Sequence, residues 1–98
     1  MKPVRLLRRA VFEACGASDW YEVRDAEVAE NFRAALDAAI ERIAAFPGIG
    51  TPWPGEPTVR RVLLRGFPYA VVYEEAADEL IVLAVAHEKR RPAYWRER

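Results

Sequence analysis

His87 is the only histidine in the chain, and Arg90, Arg91 and Tyr94 follow close behind it. Earlier in the sequence Arg61 and Arg65 stand at a spacing that would put both on one face of a strand. Together these are the pieces of an acid–base site. An imidazole with an ordinary pKa of about 6.5 can give or take a proton near neutrality, and a guanidinium offers a planar donor fork that matches phosphate. Tyr94 or Trp95 could stack on a base. A plainer reading stands beside this one, in which His87 ends a strand and the arginines pair with Glu74, Glu88 and Glu97. No cofactor or metal is expected: Cys15 is the lone cysteine, and Gly48, Gly50 and Gly55 lack the lysine and following helix of a phosphate loop.

The elements that must position these residues follow from periodicity. Pro3 to Leu7 is a short run suited to an edge strand. From Arg9 to Val23, Ala10, Ala14, Ala17 and Tyr21 recur at helical spacing, with Gly16 as a weak point. Asp25 is a natural N-cap for a second helix, in which Val28, Phe32, Leu36, Ile40 and Ile43 keep a 3.6-residue period until Pro47 and Gly48 stop it. After the Pro/Gly-rich stretch Pro47–Pro57 the period becomes that of strands, with runs at Thr58–Leu64, Tyr69–Glu74 and Leu80–Ala86 separated by hairpin-sized gaps. The last run is apolar at every position, which predicts a strand covered on both faces and central in the sheet. The expected fold is α+β: an N-terminal strand, then an antiparallel two-helix hairpin packed on a mainly antiparallel four-stranded sheet.

At 98 residues the chain is read as a single domain, residues 1–98. Its formal net charge is zero, which speaks against a protein that holds nucleic acid mainly through phosphates. The charge is uneven, because residues 1–57 hold seven Lys/Arg against nine Asp/Glu and residues 58–98 hold eight against six. Lys89, Arg90, Arg91, Arg96 and Arg98 face only Glu88 and Glu97 at the end, giving a local positive field or a solvated tail. No apolar run is long enough to span a membrane and the N-terminus lacks the apolar stretch of a signal peptide, so a cytoplasmic location is expected. Trp53, pinned between Pro52 and Pro54, reads as a lid over the helix ends. Phe67-Pro68 reads as a hairpin-fixing turn whose ring packs, and Tyr69, Val71 and Tyr73 as one strand face that serves the core or antitoxin contact rather than catalysis.

Several short motifs occur in a telling order: Trp20-Tyr21-Glu22, Phe46-Pro47, Val59-Arg60-Arg61, Phe67-Pro68-Tyr69 with Tyr73, and the ending Ala84-Val85-Ala86-His87-Glu88-Lys89-Arg90-Arg91-Pro92-Ala93-Tyr94-Trp95. In these the chain resembles the RelE/ParE superfamily of toxins over nearly its whole length. The resemblance implies a toxin of a type II toxin–antitoxin pair, held inactive by a cognate antitoxin. RelE-like members cut messenger RNA, commonly on the ribosome, whereas ParE-like members poison DNA gyrase without an agreed hydrolytic site.

RNA cleavage would require a base for the 2′-hydroxyl, cations for the phosphorane and an acid for the leaving oxygen, with no metal needed. The candidates are His87, Arg61, Arg65, Arg90 and Tyr94, expected to form one concave cationic site. Against cleavage stand the zero net charge and the scarcity of lysine, since only Lys2 and Lys89 are present. A gyrase inhibitor and an inactive antitoxin-binding module are the competing readings. An antitoxin segment is expected either across the helix hairpin or as a strand added to a sheet edge.

Overall fold

Residues 1–90 and 93–97 are described in the computed structural model; Arg91, Pro92 and Arg98, which belong to the cationic ending, lie outside the described residues. A short strand β1 (Val4–Leu6) leads into helices α1 (Arg8–Arg24) and α2 (Ala26–Ala45). A 3-10 turn at Pro47–Ile49 follows, then strands β2 (Thr51–Trp53), β3 (Glu56–Leu63), β4 (Tyr69–Glu75) and β5 (Leu80–His87), and a 3-10 turn at Tyr94–Glu97.

The two helices are parted by Asp25 alone, whose extended backbone breaks the first helix while its carboxylate accepts from the amides of Glu27 and Val28 and so starts the second. They fold back on each other as an antiparallel hairpin: Tyr21 meets Phe32, and Arg33 donates to Ser18 and pairs with Glu22. α1 buries Ala10 and Ala17, with Ala14 and Tyr21 packed beside them; α2 buries Ala29, Phe32, Leu36, Ala39 and Ile43. Small residues on α1 let it lie close over β5.

The fold is α+β, as the pattern predicts, but the sheet has five strands rather than four, in the order β1-β5-β4-β3-β2. The added strand, β2, lies inside the Pro/Gly-rich stretch. It is only three residues long, with Pro52 within it, and it is a strand because Thr51 and Pro52 pair with Arg61 and Arg60 across a turn that Gly55 makes at φ +78°. The register is antiparallel throughout except where β1 lies parallel to β5. β4 therefore occupies the middle, and β5 is an inner strand beside it rather than the central one.

One sheet face, the inner one, receives the helices through Val62, Val71, Tyr73, Leu80, Val82 and Val85. The outer face carries a second apolar cluster of Val59, Val72, Ala84, Tyr94 and Trp95, with Trp53 packed against it. The C-terminal turn thus covers the sheet opposite the helices, and β5 is covered on both sides. Trp53 does act as a lid, but over this outer face and not over the helix ends. Phe67 packs between Tyr21 and Phe32.

Tyr73 ties the first half of the chain to the sheet. Its hydroxyl donates to the Pro47 carbonyl at 2.6 Å and accepts from the Gly50 amide at 3.0 Å, and burial pushes its phenol above the usual tyrosine range. Burial likewise raises Tyr69. Both phenols contribute most below the ordinary tyrosine pKa and lose that contribution as pH rises through their raised values. Tyr73→Phe would strand the Gly50 amide and the Pro47 carbonyl. It should lower stability by about 1–3 kcal/mol, read as a lower urea midpoint at unchanged slope.

Candidate functional site

The outer face of the sheet holds a cavity of about 380 Å³. Ala70, Val72 and Ala86 form its floor, and their small side chains leave the recess; Trp53, Tyr94 and Trp95 form aromatic walls, and Arg61 and Arg90 bring positive charge to it. Pairing explains how Arg61 arrives there. Arg61 lies opposite Val72, on the outer side of β3, whereas Arg60 lies opposite Tyr73 and turns inward to donate to the carbonyls of Gly48 and Gly50.

Arg61, His87, Arg90 and Tyr94 all line this cavity, but not with equal commitment. The Arg90 guanidinium stacks on the Tyr94 ring, 4.0 Å from its centroid. The Tyr94 hydroxyl is engaged with the Glu13 carboxylate. His87 pairs with Tyr69, and its ring lies edge-on to that tyrosine with centroids 5.0 Å apart, so the imidazole is held on the inner face. Its Nδ1 accepts from the Lys89 amide, which leaves Nε2 to carry the proton of the neutral ring. Arg65 is not among the lining residues. β3 has ended at Leu63, and Arg65 sits exposed in the turn that Gly66 completes at φ +85°.

A bulge accounts for the placement of His87. Tyr73 pairs with Val82 and Val72 with Ala84, so Leu83 is an extra residue and the facing of β5 flips beyond it. Simple alternation from Leu80 would have sent His87 to the outer face beside Arg61. After the bulge, Val85 and His87 point inward and Ala84 and Ala86 outward.

Glu13 is the site residue that motif reading did not single out. From α1 it accepts from the Val85 amide at 3.1 Å, beyond the point where β1 stops pairing with β5, and it also takes the Tyr94 hydroxyl. Its signal in the sequence is a carboxylate at the margin of the alanine stripe, three residues after Ala10 and four before Ala17. Around it the C-terminal turn is fastened to the body: Trp95 meets Trp53 edge-on at 5.5 Å and Arg96 pairs with Glu56. Glu13→Ala should loosen this turn. We expect red-shifted tryptophan emission and faster tryptic cutting at Arg90 and Arg96; an unchanged spectrum and digestion rate would show that the Glu13 contacts hold nothing in place.

Of the plainer pairing of the arginines with Glu74, Glu88 and Glu97, the parts that involve Arg91, Arg98 and the Glu97 side chain lie outside the described residues. Glu74 accepts from Thr58, and Arg96 finds Glu56 on β3. Among the described residues no three His, Cys, Asp or Glu side chains converge as ligands for a metal ion, and no helix is long and apolar enough to cross a membrane.

The family model for the ParE toxin of the type II toxin–antitoxin system parDE matches residues 4–92. The chain belongs to this ParE toxin family. Among solved structures it is similar to a chain of the chromosomal ParDE TA system from P. aeruginosa, with a TM-score of 0.65 and 21% identity over 89% of this chain and 96% of that one. At that identity the likeness is one of fold. No curated protein matches. Within the ParE-family frame, the helix hairpin and sheet form the scaffold, and the outer face with its aromatic and arginine-lined recess is the candidate functional surface.

Proposed function

We propose that this ParE-family chain arrests growth by binding a protein target through the outer face of its sheet, DNA gyrase being the target that the resemblance implies, and that it cuts no RNA. The observation that carries this reading is the division of the candidate residues between two sheet faces. His87 rests on Tyr69 on the inner side, while Arg61, Arg90 and the Tyr94 ring belong to the outer side. A general base must reach the proton it removes. Here the imidazole packs on Tyr69 rather than on the cations that would hold the phosphate.

The composition of the recess supports a protein partner. Trp, Tyr and Arg dominate the energetics of protein interfaces, and here Trp53, Tyr94, Trp95, Arg61 and Arg90 surround one concave patch. The zero net charge suits such a partner better than a phosphate-rich one. A cognate antitoxin silences such a toxin most directly by covering the same patch. Strand addition at the sheet edges is poorly served, because β1 and β2 have three residues each and Pro52 lacks an amide hydrogen.

RNA cleavage is the second reading, favoured by one observation: His87, Arg61, Arg90 and Tyr94 border a single cavity. It requires the imidazole to leave Tyr69 and turn outward. The two readings part in a pair of assays on the full chain, DNA supercoiling by gyrase and cleavage of a labelled messenger RNA with and without ribosomes. Inhibited supercoiling with intact RNA supports the proposal; cut RNA with normal supercoiling overturns it.

A further inference from the structure

Arg61 and Arg90 form no ion pair among the described residues, whereas Arg5, Arg33 and Arg96 each find a carboxylate. The two reach the outer recess from opposite sides, Arg61 from β3 and Arg90 from the turn after β5. With β4 lying between, about 10 Å of sheet separates the strands that bring them. Glu88, exposed at the rim, is the one acid among the described lining residues, so positive charge prevails there. Between the arginines the floor of Ala70, Val72 and Ala86 is apolar. The cavity of about 380 Å³ stands at the lower end of the range of about 300–1,000 Å³ that ligand pockets span. That is a seat for one large side chain and not for an extended surface.

A second observation concerns the aromatic wall. Trp95 is only 7% exposed, and its indole N–H is buried with no acceptor. Buried donors are nearly always paired. An orphan donor in a wall shared with two guanidiniums that lack carboxylates calls for an occupant that brings oxygen acceptors.

Those acceptors belong to a peptide rather than to a nucleic acid. Bases bind aromatic walls by stacking on open ring faces. Here the Arg90 guanidinium already lies over the Tyr94 ring, the Arg96 guanidinium lies 4.8 Å from the Trp95 centroid, and Trp53 meets Trp95 edge-on. What the walls leave is a corner above an apolar floor, which suits a ring entering edge-first.

We infer, building on the reading of the outer face as a protein-binding surface, that the recess seats one aromatic side chain of an acidic linear segment whose flanking carboxylates bond Arg61 and Arg90. About three residues of extended chain span the floor between β3 and β5, so the carboxylates stand one or two positions to either side of the anchor. Each meets a guanidinium fork, the geometry that suits a carboxylate best.

Fluorescence anisotropy on the full chain tests this with a labelled, amidated peptide in which one phenylalanine stands between two pairs of glutamates. We expect saturable binding that weakens as salt is added. It should weaken by about tenfold or more when glutamine replaces the glutamates, or glycine the phenylalanine. In the chain, Arg61→Gln should have the same effect by removing a fork, and Ala86→Leu by filling the seat. Both positions face the open recess, so the urea midpoint should stay near that of the wild type. A folded chain that binds no peptide at millimolar concentration overturns the inference. So does a glutamine peptide that binds equally well, an Ala86→Leu chain that binds undiminished, or displacement of the peptide by an RNA of equal charge. The supercoiling assay reports separately: inhibited supercoiling without peptide binding removes the acidic segment and leaves the protein target, whereas normal supercoiling removes the target reading itself.

Discussion

Arg61→Glu combined with Arg90→Glu should abolish growth arrest, whereas His87→Ala should leave it at the wild-type level. The two arginines flank the outer recess and both are exposed, so neither reversal disturbs the core. Loss of a central interface arginine typically weakens binding by about 2–4 kcal/mol, and reversing two should therefore reduce target affinity by about a thousandfold or more. His87 borders the same recess as the two arginines, but its imidazole is engaged edge-on with Tyr69. Had it been a general acid or base, its removal would lower the rate by about 100-fold to 10,000-fold. Arrest, transcript integrity and gyrase supercoiling measured together for both variants and wild type decide the matter. A His87→Ala chain that no longer arrests growth, yet folds and binds antitoxin as before, would restore the nuclease reading.

The contrast between Arg61 and His87 also shows where the sequence was legible. α2 was readable because Val28 to Ile43 repeat at helical spacing over more than four turns and Asp25 marks the start with a cap that the structure contains. The hairpin strands were readable from their Val, Leu, Ile and Tyr content and from the hairpin-sized gaps between them. β2 was not, since Pro52 and a length of three residues argue against a strand by every local measure, and only its pairing with Arg60 and Arg61 makes it one. The facing of His87 was hidden for a sharper reason. A run that is apolar at every position from Leu80 to Ala86 carries no alternation, so it cannot reveal the bulge at Leu83 that turns the following residues over. Arg65 failed to join Arg61 because alternation holds only while a strand lasts, and β3 ends two residues short of it.

Phe32→Ala should be the most destabilising single truncation in the helix hairpin, and its consequence separates scaffold from site. Phe32 is fully buried on α2, and its ring meets Tyr21 of α1, Phe67 in the β3–β4 turn and Tyr69 of β4, all with centroids 5.3–5.4 Å away. The helix hairpin and the distant stretch from the β3–β4 turn into β4 therefore meet at one ring. Removing it deletes aromatic contacts and leaves a cavity that helices pinned on both sides by Asp25 and the sheet can only partly close, a loss of about 3–5 kcal/mol. Against the total of about 5–15 kcal/mol that holds a domain together, this brings the chain close to unfolding at growth temperature. The outer recess, however, is built from Trp53, Arg61, Arg90 and the C-terminal turn, none of which touches Phe32. At low temperature, where the variant is still folded, it should bind the same target with near wild-type affinity while its urea midpoint falls sharply at unchanged slope. A variant that keeps its midpoint would refute the central place given to this ring, and one that is folded yet has lost the target would move the functional surface to the helix side of the sheet.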